Sequence, residues 1–127
     1  MTARELMTSN PTTVAPEASI AEVWDLMREL EIRHVPVVQD GALAGMVSDR
    51  DLGRLDITGM LATPIVNVMS SDVIVVEPDS ELSEIVELLL DHKVGALPVI
   101  QPDTREVVGI VSYIDVLRAV QDRLEEE

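Results

Sequence analysis

The chain has no cysteine and no phenylalanine, and one Trp and one Tyr are its only aromatic residues among 127. Without cysteine there is neither a disulfide framework nor a thiolate metal site. With aromatics this scarce, the core has to be built from Val, Ile, Leu, Met and Ala. Positive charge is also scarce, at 9 Lys and Arg against 24 Asp and Glu, for a formal net charge of -15. That balance opposes a phosphate backbone, and no basic patch interleaved with aromatics offers base stacking, so nucleic acid is excluded as a partner. No apolar run approaches the roughly 18 residues of a membrane span, and the start MTARELMTSN lacks the apolar stretch of a signal peptide. A soluble, cytoplasmic protein is the expectation.

Motifs of catalysis are missing as well. There is no G-x-S-x-G nucleophile elbow, no P-loop and no G-x-G-x-x-G. The two histidines, His34 and His92, stand 58 residues apart at non-equivalent places, which speaks against a metal site. No enzyme activity is expected.

What is present is a repeat. Met7 aligns with Met69, Pro16 with Pro78, Pro36 with Pro98 and Val37 with Val99 at a constant offset of 62; after a two-residue insertion the offset is 64, aligning Gly45 with Gly109, Ser48 with Ser112 and Asp51 with Asp115. Halves of about 60 residues are marginal alone, so two should pack together. The halves read as residues 1–62, the first repeat with its leading segment and connector, and 63–127, the second. The first carries 5 basic against 10 acidic residues and the second 4 against 14, net -5 and -10.

Within the first half, TTV at 12–14 reads as a short strand. Pro16 breaks the chain before a helix capped by Ser19, with Glu22 completing a capping box. Ile20, Val23, Trp24, Met27 and Leu30 recur at a helical period and form its buried face. VPVV at 35–38 and ALAGMVS at 42–48 are strands about a turn at Gln39, Asp40 and Gly41, and a helix starts near Asp49. The second half repeats this β-α-β-β-α order: DVIVV at 72–76, a helix carrying Leu82, Ile85, Val86 and Leu89, then LPVI at 97–100 and VVGIVS at 107–112. Leu88 and Leu90 widen the apolar stripe of that helix, as a partner surface or a deeply buried helix would. Between the halves, residues 56–68 form a connector in which PIVNVM suggests a short helix. The fold class is α/β (α+β).

Two stretches stand out: GMVSDRD at 45–51 and GIVSYID at 109–115. Each passes from a strand through a sharp corner into a helix, with Asp three residues after Ser. The unpaired N–H groups of a helix start satisfy an anion without any Lys. The same spacing also serves plain capping, with Ser as N-cap and Asp as a first-turn acid. The carboxylates of Asp51 and Asp115 can each accept from a pair of hydroxyls, and the hydroxyls of Ser48 and Ser112 suit a phosphate. Only the first corner has a cation two residues after its Ser, Arg50. Arg54 and Arg118 are expected to pair with Asp51 and Asp115 one turn away.

Taken together, the repeated Met-Thr/Ser starts, the element order, the HVPVV and ALPVI strands and the two corners resemble a pair of cystathionine-β-synthase (CBS) domains, a Bateman module. The resemblance covers the whole chain apart from its ends and connector. It implies two repeats packed about a pseudo-twofold axis, with clefts between them for adenosine ligands such as AMP, ADP or ATP, S-adenosylmethionine ranking behind these. It implies a base pocket at Ile32, His34 and Pro36 and at Val94, Ala96 and Pro98, closed by Thr12 and Thr13 and by Val73 and Val75. It also implies a homodimer and an output through a separate protein regulated in trans. The alternative is a ligand-free interaction scaffold that acts through dimerisation.

Overall fold

A computed structural model describes residues 1–126. Its elements are α1 (Ala3–Leu6), β1 (Thr8–Ser9), α2 (Ile20–Leu30), β2 (His34–Gln39), β3 (Ala42–Ser48), α3 (Asp49–Gly53), α4 (Leu82–His92), β4 (Ala96–Ile100), β5 (Val107–Ser112) and α5 (Tyr113–Glu125), with short 3-10 turns at Ile57–Gly59 and Ile65–Asn67. The chain forms two compact units, one of residues 12–73 and one of residues 1–11 with 74–127. Their boundary is not that of the repeats at 62/63, and the reason lies in the backbone of the leading segments.

In the continuous unit, Ile65 N donates to Ala18 O at 2.7 Å, Val66 N to Pro16 O at 3.1 Å and Ile20 N to Thr63 O at 2.9 Å. Ser70 and Met46 exchange two bonds of 2.9 Å. The segment that leads into the second repeat therefore completes the first. In the other unit, Ala3 N donates to Ser80 O at 2.8 Å, Arg4 N to Pro78 O at 3.0 Å and Leu82 N to Met1 O at 2.8 Å, each bond displaced by 62 residues from its counterpart. Here β1 adds to β5, with Thr8 opposite Ile110 and Ser9 opposite Gly109. Ile65 and Ala3, also 62 apart, are fully buried in the respective cores. These bonds give each helix start a backbone partner, so α4 forms without a side-chain cap at Glu81, the position equivalent to Ser19.

Each unit is a small antiparallel sheet covered by helix. In the continuous unit, β2 and β3 form a hairpin across Asp40 and Gly41, both with positive φ (52° and 80°), as a two-residue turn matched to strand twist requires. In the other, β4 and β5 are joined by the longer QPDTRE loop, which holds the insertion. Both ladders shift register at the same place, between Val37 and Val38 and between Val99 and Ile100. Alternation then sends Val35, Val37 and Val47 to one core with Ile20, Val23 and Met27, and Leu97, Val99 and Val111 to the other with Ile85 and Leu89.

Some expectations need correcting. TTV and DVIVV are not strands: each contributes a single parallel bridge, Val14 to Val37 and Val76 to Val99. Pro16 and Pro78 follow two residues later, have no N–H to donate, and turn the chain away after one residue of pairing. Ser19 Oγ accepts from Glu22 N at 3.1 Å, but the return bond, Ser19 N to the Glu22 carboxylate, is not formed. Leu30, last in α2, is 48% exposed because the chain leaves the helix at once through Glu31, whose φ is 55°. In α4, Leu88 packs on the core and Leu90 stands 70% exposed. No helix among the described residues is long and apolar enough to cross a membrane.

Candidate functional site

The two Ser–Asp corners form as capping boxes. Ser48 Oγ accepts from Asp51 N at 3.0 Å while Asp51 Oδ2 accepts from Ser48 N at 3.1 Å. At the other corner Ser112 Oγ accepts from Asp115 N at 3.3 Å, and Asp115 Oδ2 accepts from Ser112 N at 2.8 Å and from Ser112 Oγ at 3.1 Å. Each box satisfies two backbone donors at the start of its helix. It also fixes the carboxylate: Oδ2 is committed to the cap, and Oδ1 lies outside the box.

This geometry overturns the expected ion pairs. Among the described residues the ion pairs are those of Met1 with Glu81 and Arg4 with Asp79, and neither Arg54 nor Arg118 joins an aspartate. Asp51 and Asp115 point back toward the helix start, whereas residues three positions on lie one turn ahead. Arg50 is exposed on α3, which is only five residues long, and Arg54 is exposed at its C-cap.

Strand register brings further predicted residues to each corner. His34 pairs with Ser48 and Pro36 with Met46; in the other unit Ala96 pairs with Ser112 and Pro98 with Ile110. His34 and Pro36 therefore share the face opposite the core residues Val35 and Val37, as Ala96 and Pro98 share the one opposite Leu97 and Val99; Ile32 and Val94 precede these strands, and Ile32 packs against the core that holds Val35 and Val37. Pro36, Ala96 and Pro98 are buried, Ile32 and His34 half-buried, and Val94 exposed. Thr12 and Thr13 are exposed beside the single bridge at Val14; Val73 and Val75 are half-buried, and fall on either side of the boundary between the units. Burial pushes the His34 imidazole below its usual pKa, partly offset by Asp49 and Asp51, while Arg33 and Arg50 push the same way as burial.

Two features escaped sequence reasoning. The first is the role of the motif glycines. A Cβ on Gly45 would lie 2.8 Å from Ser70 O and against the Met69 thioether, and one on Gly109 would lie 2.8 Å from Met7 Cγ. These glycines make room for the methionines of the leading segments. The second is a clamp behind each corner, Asp49 N donating to Arg33 O at 2.8 Å and Tyr113 N to Gly95 O at 3.1 Å. The signal for it was the 62-residue alignment itself, which sets Arg33 against Gly95. Among the described residues no group of three or more His, Asp or Glu side chains is placed to hold a metal ion.

Comparison with known proteins matches the CBS domain profile twice, over residues 3–56 and 65–122. The chain is 33% identical over 114 residues to the CBS domain-containing protein YhcV of Bacillus subtilis, covering 88% of this chain and 80% of that one. A 34% match to homoserine O-acetyltransferase of Methanocorpusculum labreanum spans 113 residues but only 23% of that protein. Among solved structures, the acetoin utilization protein AcuB of Vibrio cholerae superposes with a TM-score of 0.86 at 34% identity, over 98% of this chain and 93% of that one. CBSX2 in complex with AMP gives 0.86 at 30% identity, over 95% and 96%.

Proposed function

Because the chain belongs to the CBS-domain family and carries the domain twice, we propose that it is a regulatory pair that binds an adenosine-containing ligand and passes binding on as a change in packing or self-association. The observation that carries this reading is the duplicated corner, in which the cap holds an aspartate still while leaving one carboxylate oxygen outside the box. A fixed carboxylate beside a half-buried apolar strand face suits a ribose whose base packs on that face. The likeness to CBSX2, solved with AMP, supports the adenosine class.

In this reading Asp51 and Asp115 accept from ribose hydroxyls, and Ser48, Ser112 and Arg50 serve a phosphate. Ile32, His34, Pro36, Thr12 and Thr13 hold the base in one unit, with Val94, Ala96, Pro98, Val73 and Val75 as their counterparts. AMP, ADP and ATP are the candidate ligands, ahead of S-adenosylmethionine. The protein acts in the cytoplasm on a separately encoded partner, and its role is regulatory rather than catalytic.

Thermal unfolding with each nucleotide tests this, beside Asp51→Ala and Asp115→Ala. A ligand present at about 100 times its dissociation constant and bound only by the folded chain adds about 2.7 kcal/mol. A midpoint raised by AMP and unmoved in an aspartate variant supports the sensor. No shift with any nucleotide or with S-adenosylmethionine at millimolar concentration overturns it in favour of a scaffold that works by self-association, a reading favoured by one specific observation. On α5 the residues Tyr113, Leu117, Val120 and Leu124 are 42%, 58%, 44% and 61% exposed at helical spacing.

A further inference from the structure

The two corners share a backbone frame and differ in charge. Each has the same capping box, the same clamp from the residue after the Ser to the start of the preceding strand, and the same pairing across the ladder. On that frame one unit places Arg33, His34, Asp49, Arg50 and Asp51. The other places Gly95, Ala96, Tyr113, Ile114 and Asp115 at the equivalent positions. The first set therefore holds two guanidinium groups, both exposed, against two carboxylates. The second holds one carboxylate and no cation, with Tyr113 and Ile114 42% and 40% exposed.

A phosphate placed at the first corner has guanidinium forks that match its oxygens within the same set of residues. At the second corner the same phosphate meets the Ser112 hydroxyl beside the Asp115 carboxylate and apolar side chains, with no cation to offset the repulsion of the carboxylate. A substituent without phosphate packs there on Tyr113 and Ile114, and a cationic one gains from both the carboxylate and the ring face. We propose that the two corners divide adenosine ligands by charge, the Arg33/Arg50 corner taking an anionic nucleotide and the Tyr113/Ile114 corner an adenosine compound that is neutral or cationic. This rests on the adenosine-binding reading above and assigns a ligand class to each of its two sites.

The test is amide NMR of the full ¹⁵N-labelled chain titrated with AMP and, separately, with adenosine. AMP is expected to shift the amides of residues 48–51, and adenosine those of residues 112–115. An Arg33→Gly, Arg50→Ile double variant, which carries the residues of the other corner, should lose at least about tenfold in AMP affinity and keep its adenosine response at residues 112–115. The reverse graft, Ile114→Arg, changes an exposed position of a long helix and should bring AMP shifts to residues 112–115. AMP shifts of equal size at both corners of the unmodified chain, or an Ile114→Arg variant that gains no AMP response, overturn the division while leaving adenosine binding intact. If neither compound moves any amide, the adenosine reading itself fails and the division falls with it.

Discussion

His34 is a histidine whose burial works against its charged form. Burial lowers its pKa from 6.5, an effect that Asp49 and Asp51 oppose and Arg33 and Arg50 reinforce. Between that lowered value and 6.5 the unfolded chain binds more protons than the folded one, so stability falls as pH drops through this window and is fully present above it. Urea unfolding of the wild type and His34→Ala, the residue of the equivalent position 96, should show the difference. Between about pH 7 and about pH 5.5 the wild type loses more stability than the variant. Parallel losses would mean that the ring titrates as freely in the fold as out of it. Ser48 and Ser112 were legible in sequence because a cap needs only residues within one turn. The direction of the Asp51 and Asp115 carboxylates was not, since caps and i, i+3 ion pairs compete for the same oxygens and the backbone N–H prevailed.

At the scale of elements, the leading segments are held by shape. Gly45→Ala should destabilise by about 1–3 kcal/mol, because a methyl group there meets the Met69 side chain and the Ser70 carbonyl. In Gly45→Ala, Met69→Ala the two costs should add to less than their sum, since shortening Met69 opens the space the methyl needs. Strict additivity in chemical denaturation would show that the two positions do not meet. α5 is a different case: none of its 13 residues is buried, Val116 packs on the core, and the Tyr113, Leu117, Val120 and Leu124 stripe faces outward. Sedimentation of Leu117→Glu should give a smaller species than the wild type if this stripe joins two copies, with the unfolding midpoint of the protomer little changed. Identical sedimentation would remove α5 from the interface. The sequence drew attention to Leu88 and Leu90 on α4 instead, since periodicity counts apolar residues but not which neighbours cover them.

For the whole molecule the net charge of -15 sets the approach of any anionic ligand. The side chains of the Arg33/Arg50 corner nearly cancel one another, so long-range repulsion decides the salt dependence. AMP affinity measured by calorimetry should rise from low to physiological ionic strength, where the screening length shrinks to about 8 Å, and should exceed that for ATP without Mg²⁺. A steep loss of affinity with salt would assign the dominant role to the corner arginines. Uneven charge along the chain also follows the units only in part, because residues 1–11 belong with 74–127.

Legible in the sequence were the repeat, the helix and two paired strands of each half, the start of the helix after each corner, the hairpin at Asp40 and Gly41, and the two Ser–Asp corners. Each of these is written in residues a few positions apart, through side-chain period, turn chemistry or capping. Tertiary structure alone decided that each leading segment completes the opposite repeat, that Gly45 and Gly109 make way for Met69 and Met7, and that TTV and DVIVV pair through one residue only. Those outcomes depend on backbone hydrogen bonds and packing between residues far apart in the chain, such as Thr8 with Ile110 and Met7 with Gly109, which no local pattern records.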